Sequence, residues 1–286
     1  MSQNESLDRR LDQAAEAIRT ADAILIGAGA GMGVDSGLPD FRGRQGFWNA
    51  YPPYQKLGLD FVSLANPRWF TSDPELAWGF YGHRMMLYRE TKPHGGFEIL
   101  RRWISRETHG GFVYTSNVDG HFQLAGFSPE QIYEVHGAIG AMQCLSSCGA
   151  GIFPAHAHSV VIDEETMRAV PPLPQCPRCG GLARPNILMF GDWGWDPSHA
   201  EIQHAQLKLW LRLISGAELI VIECGAGTAV PTVRLTCEDI TRHHGATLIR
   251  INVREFEVPT GQISLPMGAL DALRKLDERL SEPASQ

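Results

Sequence analysis

Residues 23–42 read AILIGAGAGMGVDSGLPDFR, and the rest of the chain is interpreted outward from this stretch. It begins as an apolar run of the length of a buried strand and continues as a glycine-rich loop. Glycines let a backbone approach a phosphate closely, because no Cβ stands in the way. The stretch therefore predicts a nucleotide site, and the alternative is a glycine-rich turn that binds no ligand.

The spacing of these glycines departs from the common dinucleotide fingerprint. That fingerprint, G-x-G-x-x-G, needs a glycine three positions after its second glycine. Counted from each of the three possible starting glycines, that position holds Met32, Val34 or Ser36. The spacing therefore weakens the case for an ordinary dehydrogenase site.

The composition is that of a folded enzyme with no general attraction to polyanions. The 286 residues are 43% hydrophobic and 20% charged, with a net charge of −7, which does not favour nucleic acid or an acidic membrane as a partner. No apolar run approaches the roughly 18 residues of a membrane span, and the first ten residues contain no apolar signal-peptide core. We therefore expect a cytoplasmic protein, in which cysteines are more often metal ligands or buried thiols than disulfides.

Strand and helix patterns alternate along most of the chain. Strands are predicted at 22–28, 111–115, 133–137, 184–191, 218–223 and 247–252, and helices at 7–20, 74–88, 94–103, 197–215, from 231 onward and at 268–280. This alternation predicts an α/β fold with a doubly wound, Rossmann-like parallel sheet. An aromatic-rich helical insert (44–110) and a cysteine-containing insert (140–182) interrupt it, so the nucleotide-binding domain would comprise 1–43, 111–139 and 183–286.

Two close cysteine pairs lie in the second insert. Cys144 and Cys148 form a C-x3-C pair, and Cys176 and Cys179 form a C-x2-C pair. Four thiolates from two turns can complete a tetrahedral zinc site and leave no open position for catalysis. Because this insert has little apolar content, it needs a cross-link such as a bound metal ion to hold its fold. We predict a structural zinc ion, with reduced loop thiols as the alternative, and expect the other two cysteines to be buried thiols.

Polar residues follow two of the predicted strands. Asn117 and Asp119 come just after the strand 111–115, and His136 ends the strand 133–137. The carboxyl ends of parallel strands form ligand-binding crevices. A histidine there can act as a general base near neutral pH, although a lone histidine is more often structural. The pattern predicts that these residues form one site with the glycine loop.

In these motifs the chain resembles the sirtuins, the NAD-dependent protein deacylases. The family motif G-A-G-x-S-x-x-S-G-I-P-D/T-F-R is similar to residues 29–42, T-Q-N-I-D is similar to 115–119, and H-G is similar to 136–137. R-P-x-V-V-x-F-G-E resembles 184–192, a late I-N resembles 251–252, and the cysteine pairs fall where the family keeps its zinc. Because the matches run in family order along nearly the whole chain, it is identified as a divergent, bacterial-type member.

The resemblance implies which residues hold NAD, which the family consumes as a co-substrate. The implied positions are Gly29, Ala30, Gly31, Asp40, Phe41, Arg42, Ser116, Asn117, Asp119, Gly225 and Asn252. Among them, Ala30, Gly31 and Arg42 would hold the diphosphate, and Phe41 would cover the nicotinamide pocket.

The implied activity removes an acyl group from a lysine of a protein or peptide. Asp119 would receive the carboxamide of NAD, Asn117 would line the adjacent ribose and its water, and His136 would deprotonate a ribose hydroxyl. Asn117 and His136 are therefore the expected catalytic residues, and the products would be deacylated lysine, nicotinamide and an acyl-ADP-ribose. Phe47 and Ala50 stand where one sirtuin class reads acidic acyl groups with a Tyr-x-x-Arg pair, so a neutral acyl group such as acetyl is expected.

The chain departs from the family pattern at positions that bear on its substrate. Gly33 replaces a serine, Ser116 replaces a glutamine and Asp192 replaces a glutamate. Residues 223–231 differ from the family's G-T-S-L-x-V-x-P, and strand register places Gly225 at the serine. These departures leave two alternatives open. One is an ADP-ribosyltransferase or NAD glycohydrolase, and the other is a non-catalytic NAD- or ADP-ribose-binding module, against which the retained base argues.

Overall fold

A computed structural model describes residues 3–39, 43–155 and 159–281. The described strands are β1 (Ala23–Ala28), β2 (Gly111–Thr115), β3 (Ile132–Glu134), β4 (Gly137–Cys144), β5 (Ile152–Pro154), β6 (Val161–Asp163), β7 (Arg168–Val170), β8 (Ala183–Ile187), β9 (Leu219–Cys224), β10 (Thr247–Ile251) and β11 (Ile263–Leu265). The described α-helices are α1 (Gln3–Arg19), α2 (Gly31–Val34), α3 (Gly43–Ala50), α4 (Pro52–Lys56), α5 (Phe61–Leu64), α6 (Trp69–Ser72), α7 (Pro74–Glu90), α8 (Gly95–Ile104), α9 (His121–Leu124), α10 (Ser198–Leu213), α11 (Thr232–His244) and α12 (Ala269–Ser281). Within the described ranges, no helix has the length and apolar character needed to cross a membrane.

Six parallel strands form the central sheet, in the order β11-β10-β9-β1-β2-β3. Every residue of β1 is buried, which explains its continuous apolar sequence, because a parallel sheet is covered on both faces. Ile24 and Ile26 pack with α1, α8 and α12 on one face. Leu25 packs with α10 and α11 on the other. The predicted doubly wound parallel sheet is confirmed.

The strand order places a crevice beside β1. After β1 the chain builds β2 and β3 on one side, and it later builds β9 and β10 on the other. Since all these strands are parallel, their carboxyl ends meet at one edge of the sheet. Ligands of such sheets bind where the strand order reverses, and here that point lies between β1 and β9.

The two inserts share one hydrophobic core. Trp78 and Phe80 of α7 belong to the same buried cluster as Met142 of β4 and Met167 beside β7. The Trp78 indole donates to the carbonyl of Ala183 at 3.0 Å. The cysteine insert, which we expected to depend on its metal, therefore also depends on the helical insert for its apolar contacts.

The strand predicted at 184–191 does not belong to the central sheet. It is β8, it ends at Ile187, and it pairs antiparallel with β4 in a separate three-stranded sheet, β5-β4-β8. The segment that begins at 183, which we assigned to the nucleotide-binding domain, thus starts in the smaller sheet. Its five residues, Ala-Arg-Pro-Asn-Ile, include the buried polar side chains of Arg184 and Asn186. So short a strand does not reveal from its sequence which of the two sheets it joins.

Candidate active site

The glycine loop after β1 packs directly on the turn after β9. The N–H of Gly29 donates to the carbonyl of Cys224, and the N–H of Gly31 donates to the carbonyl of Gly225, both at 3.0 Å. Gly225 has a φ of +64°, and a Cβ there would lie 2.4 Å from the carbonyl carbon of Gly31. A Cβ on Gly29 would lie 2.6 Å from the Cα of Ala226. Both glycines are therefore required by the close approach of two backbones.

These hydrogen bonds limit which N–H groups can reach a diphosphate. Gly29 and Gly31 already donate to carbonyls. Ala30, between them, is exposed, and its N–H has no partner among the described residues. The geometry thus favours Ala30 as the donor and gives the two glycines a shaping role. Asp40, Phe41 and Arg42, the end of the same motif, lie outside the described residues.

Polar groups at the end of β2 turn back on the glycine loop. The backbone of Asn117 is held in its turn by Thr115, since its N–H donates to Thr115 Oγ1 at 3.0 Å. Its side-chain Nδ2 donates to the carbonyl of Gly29, also at 3.0 Å. The N–H of Ser116 donates to the carbonyl of Ala28 at 3.2 Å. The structure thus fixes Asn117 and Ser116 beside the glycine loop, as expected.

Asp119 places a carboxyl group at this edge of the sheet. Its Oδ1 accepts the N–H of His121 at 2.9 Å, and burial raises the pKa of its carboxyl above the ordinary value. Its Oδ2 lies 3.7 Å from the point that a Cβ on Gly33 would occupy. A side chain at that position would also press on Leu38. Gly33 therefore leaves open space beside the carboxyl group of Asp119.

His136 lies between β3 and β4, at the same edge. Its carbonyl accepts the N–H of Leu188 at 2.9 Å, and the N–H of Val135 donates to the carbonyl of Thr115 at 2.9 Å. Burial lowers the pKa of the His136 imidazole, and a hydrogen bond to the Ser116 backbone partly offsets this. The ring is therefore mostly neutral at pH 7 and able to accept a proton, as a general base must.

The far end of the crevice is formed by β10. Asn252 Nδ2 donates to the carbonyl of Ala226 at 2.8 Å, and the N–H of Gly225 donates to the carbonyl of Ile251 at 2.9 Å. A cleft beside them is also lined by Asp35 and Gly268. The predicted residues Gly225 and Asn252 therefore lie in one continuous cleft with the glycine loop.

Four cysteines of the second insert form the candidate metal centre. The Sγ atoms of Cys144, Cys148, Cys176 and Cys179 all lie within 4.8 Å of one another. The Cys144–Cys179 and Cys148–Cys176 sulfur pairs are each 3.6 Å apart. A tetrahedron with zinc–sulfur distances near 2.3 Å has edges of about 3.8 Å. The four thiols therefore fit a zinc ion, and all four positions of its coordination shell are filled by protein.

Comparison with known proteins identifies the family. The model of the Sir2 family matches residues 29–222, more than half of the chain.

The chain belongs to the Sir2 family. It is 30% identical over 277 residues to an NAD-dependent protein deacylase of Thermus thermophilus. The aligned region covers 93% of this chain and 94% of that protein. It is 29% identical over 236 residues to the NAD-dependent protein deacylase of Aquifex aeolicus, with 81% of this chain and 84% of that protein covered. A solved Sir2 homologue–NAD complex superposes with a TM-score of 0.66 at 26% identity, over 94% of this chain and 95% of the other.

Ion pairs and hydrogen bonds of buried charged side chains stabilise the divergent loop of this Sir2-family chain, residues 223–231. Glu223 is fully buried and pairs with Arg250, whose Nη2 lies 2.9 Å from Glu223 Oε2. Arg250 Nη2 also donates to Glu238 at 2.7 Å. Arg234 donates to the carbonyl of Glu255 at 2.9 Å. Because a buried carboxylate needs a charged partner, the arginine accommodates the glutamate where the family has a glycine.

Asp192, another departure from the Sir2 pattern, is also paired. It forms a buried ion pair with Arg184, and both side chains are almost completely inaccessible. Asp192 also accepts the N–H of Gly194 at 3.1 Å. The aspartate therefore fixes the turn after β8, and its shorter side chain suits this contact.

Two buried histidines beside the Sir2 site were not singled out from the sequence. His94 caps α8, since its Nδ1 accepts the N–H of Gly96 and its Nε2 donates to the carbonyl of Met32, both at 3.0 Å. Its position as the first residue of the helix predicted at 94–103 could have indicated this capping role. His121 is fully buried against Phe97, and neither ring nitrogen has a hydrogen-bond partner in the described part of the chain. Nothing in the structure explains why a histidine occupies this buried position.

Proposed function

We propose that this protein removes acyl groups from lysine side chains of proteins and consumes NAD in doing so. The observation that carries the proposal is the meeting of His136, Asn117 and Asp119 with the glycine loop at one edge of the parallel sheet. The deacylases of Thermus thermophilus and Aquifex aeolicus support it through their names. The NAD-bound homologue supports the choice of nucleotide.

The proposed nucleotide site runs along the crevice from β10 to β2. Asn252 and Gly225 would hold the adenosine half. The N–H of Ala30 would hold the diphosphate, and Gly31 would shape the loop around it. The expected contributions of Asp40, Phe41 and Arg42 rest on the family resemblance. Ser116 would contact the nicotinamide-side ribose through its backbone.

The proposed chemistry takes place where Asn117, Asp119 and His136 converge. Breaking the bond between nicotinamide and ribose leaves an oxocarbenium-like carbon, and the carbonyl oxygen of the acyl-lysine is the nucleophile that attacks it. Asp119 would hold the carboxamide, and neutral His136 would take the proton of a ribose hydroxyl. The protein's main contribution is to position the two substrates and exclude water.

We propose a neutral acyl group as the one removed. Phe47 is completely buried and packs against the rings of Tyr51 and Phe80. Arg84, the buried cation of this aromatic cluster, donates to the hydroxyl of Tyr88 at 3.0 and 2.7 Å. Because Phe47 and Ala50 stand in place of the Tyr-x-x-Arg pair that reads acidic acyl groups, these two positions offer no cation to a succinyl carboxylate, and acetylated peptides should be better substrates than succinylated ones. A cytoplasmic location, suggested by the cysteine usage, is part of the same proposal.

One assay tests the reaction class. The protein is incubated with NAD and an acetylated or succinylated peptide, and nicotinamide release and peptide mass are followed together. Peptide-dependent nicotinamide release with loss of the acetyl mass is the expected result. Nicotinamide release without a change of peptide mass would replace the proposal by NAD glycohydrolysis, and a gain of ADP-ribose on protein would replace it by ADP-ribosyl transfer. Bound NAD without turnover would indicate a non-catalytic module.

Gly225→Ala is expected to weaken NAD binding at least about tenfold, a loss of roughly 1.4 kcal/mol. The added methyl group would lie 2.4 Å from the carbonyl carbon of Gly31, so the glycine loop has to move. Calorimetric titration with NAD measures the effect. The matched control is Gly245→Ala, because Gly245 has nearly the same φ, +65°, and open space around its Cβ position. Equal NAD affinity in the two variants would show that this contact does not shape the site.

A further inference from the structure

Helix α10 has one face packed on the sheet and an opposite face that carries apolar side chains into solvent. Its inner face buries Ala200, Gln203 and Leu207. Its outer face exposes three large apolar side chains, which are Ile202 at 59%, Leu209 at 54% and Leu213 at 71%.

These three outer side chains form one continuous stripe. With 3.6 residues per turn they fall within an arc of about 40°, on the side of the helix away from Leu207. Scattered exposed leucines need no explanation, but steps of seven and four residues are those of a helix–helix seam. The stripe extends for about 16 Å along the helix at 1.5 Å per residue.

Charged residues follow one side of this stripe. Glu201, Lys208 and Arg212 lie on the same flank of α10, with the acidic residue near the amino end and the basic residues near the carboxyl end. No ion pair joins any of the three to another residue in the described ranges. The flank is thus acidic at one end and basic at the other, and its charges are available to a partner.

We propose that two copies of this chain associate through α10, with the two helices antiparallel across a two-fold axis. Such an axis, perpendicular to both helices, brings the same flank of each copy together. It sets Glu201 of one copy beside Arg212 of the other, with Lys208 one turn away. The two-fold symmetry forms this ion pair twice in the dimer. Ile202 then packs against the second copy's Leu209. A parallel two-fold pair would put the charged flanks of the two copies on opposite sides of the interface, where they do not meet. The flank is therefore self-complementary only in the antiparallel orientation, which favours a second copy of this chain as the partner.

The stripe is short, so the dimer is expected to be weak. An interface of one helix per subunit lies at the low end of specific interfaces, and a dissociation constant of about 10 µM is a reasonable expectation. The proposal concerns the face of α10 away from the sheet, so it is independent of the activity proposed above.

Sedimentation equilibrium over a range of protein concentrations tests this proposal. The wild-type chain should show a dimer fraction that rises with concentration, and Leu209→Glu should be monomeric throughout. Leu235→Glu is the matched control, because Leu235 of α11 is 59% exposed on another helix and should leave the dimer intact. Thermal unfolding of each variant verifies that it is folded. A wild-type chain that stays monomeric at about 200 µM, some twentyfold above the expected constant, would overturn the proposal, as would a dimer unaffected by Leu209→Glu.

Charge reversal tests the antiparallel orientation. Glu201→Arg and Arg212→Glu should each weaken the dimer about tenfold. Each substitution turns both symmetry-related ion pairs of the dimer into pairs of like charge, and an exposed pair contributes up to ~1 kcal/mol. The double variant restores both pairs and should recover the wild-type constant. Additive weakening in the double variant would rule out this arrangement.

Discussion

Replacing His136 by alanine should lower the rate of deacylation at least 100-fold, because a general base contributes about 10²- to 10⁴-fold. The dissociation constant for NAD should change little. The backbone of His136, not its ring, joins the site to β8, through its carbonyl and the N–H of Leu188, and alanine keeps that bond. Rates are measured by peptide mass, and NAD affinity by calorimetry.

The pH dependence of the rate tests the same assignment. Since burial lowers the pKa of His136 below its ordinary value of 6.5, the fraction of neutral base stays high at pH 7. Activity should fall only as the pH drops through that lowered pKa, so the acidic limb of kcat/KM should have its midpoint below 6.5. The residual activity of His136→Ala should lack this limb.

A control separates the loss of a base from the loss of a histidine. His243 is exposed on α11, where its Nδ1 lies 2.8 Å from the carbonyl oxygen of Asp239, and His243→Ala should retain full activity. If His136→Ala instead loses NAD binding in step with activity, the histidine has a structural role and the assignment of the base is wrong.

The central sheet could be predicted because its signals are local. The uninterrupted apolar run of β1 reflects burial on both faces of a parallel sheet, and the glycines that follow it mark the turn. Polar residues after β2 and β3, Asn117 and His136, converge simply because parallel strands end at one edge. Strand ends and chemistry-bearing side chains are therefore enough to predict which residues come together at this edge of the sheet.

Contacts between distant segments could not be predicted in this way. The glycines at 29 and 31 suggested free N–H groups for a phosphate. In the structure one donates to the last residue of β9 and the other to the first residue of the turn that follows. That contact joins segments almost 200 residues apart in the 286-residue chain, and no local pattern encodes it. The buried pair of Glu223 and Arg250 is hidden for the same reason, since each residue alone resembles an exposed charge.

The shared core of the two inserts is the second feature that the sequence concealed. Aromatic residues between 44 and 110 indicated a helical core, and the cysteines indicated a separate module held together by its metal ion. In the structure the Trp78 indole N–H donates a hydrogen bond to the carbonyl of Ala183. The hydroxyl of Tyr54 donates to the carbonyl of Met167 at 2.8 Å. The Cβ position of Gly79 lies 2.0 Å from the same Met167 carbonyl, so α7 and the hairpin β6–β7 touch backbone to backbone.

Cys176→Ser should remove the bound zinc and lower the thermal midpoint by about 10 °C, as expected for a loss of roughly 3 kcal/mol at 2–4 °C per kcal/mol. A serine hydroxyl stays protonated and is a poor zinc ligand, whereas structural zinc sites contribute directly to folding. Metal analysis should give one zinc per wild-type chain and less than that in the variant. The matched control is Cys237→Ala. Cys237 is buried outside the cluster, so this variant should keep its zinc while losing some packing.

The effect of losing zinc should extend into the helical insert, because the two inserts share their core. Trp78 is fully buried and bonded to Ala183 of β8, and β8 pairs with β4, which ends at Cys144. Without the metal, amide hydrogen exchange should therefore increase in α7 as well as in β4 and β8, and Trp78 should contribute red-shifted fluorescence. Strands β1 and β9 belong to other buried clusters and should keep their protection. If α7 stays protected while the cysteine insert exchanges freely, the aromatic core of the helical insert is stable by itself, and zinc stabilises only the loops that bind it.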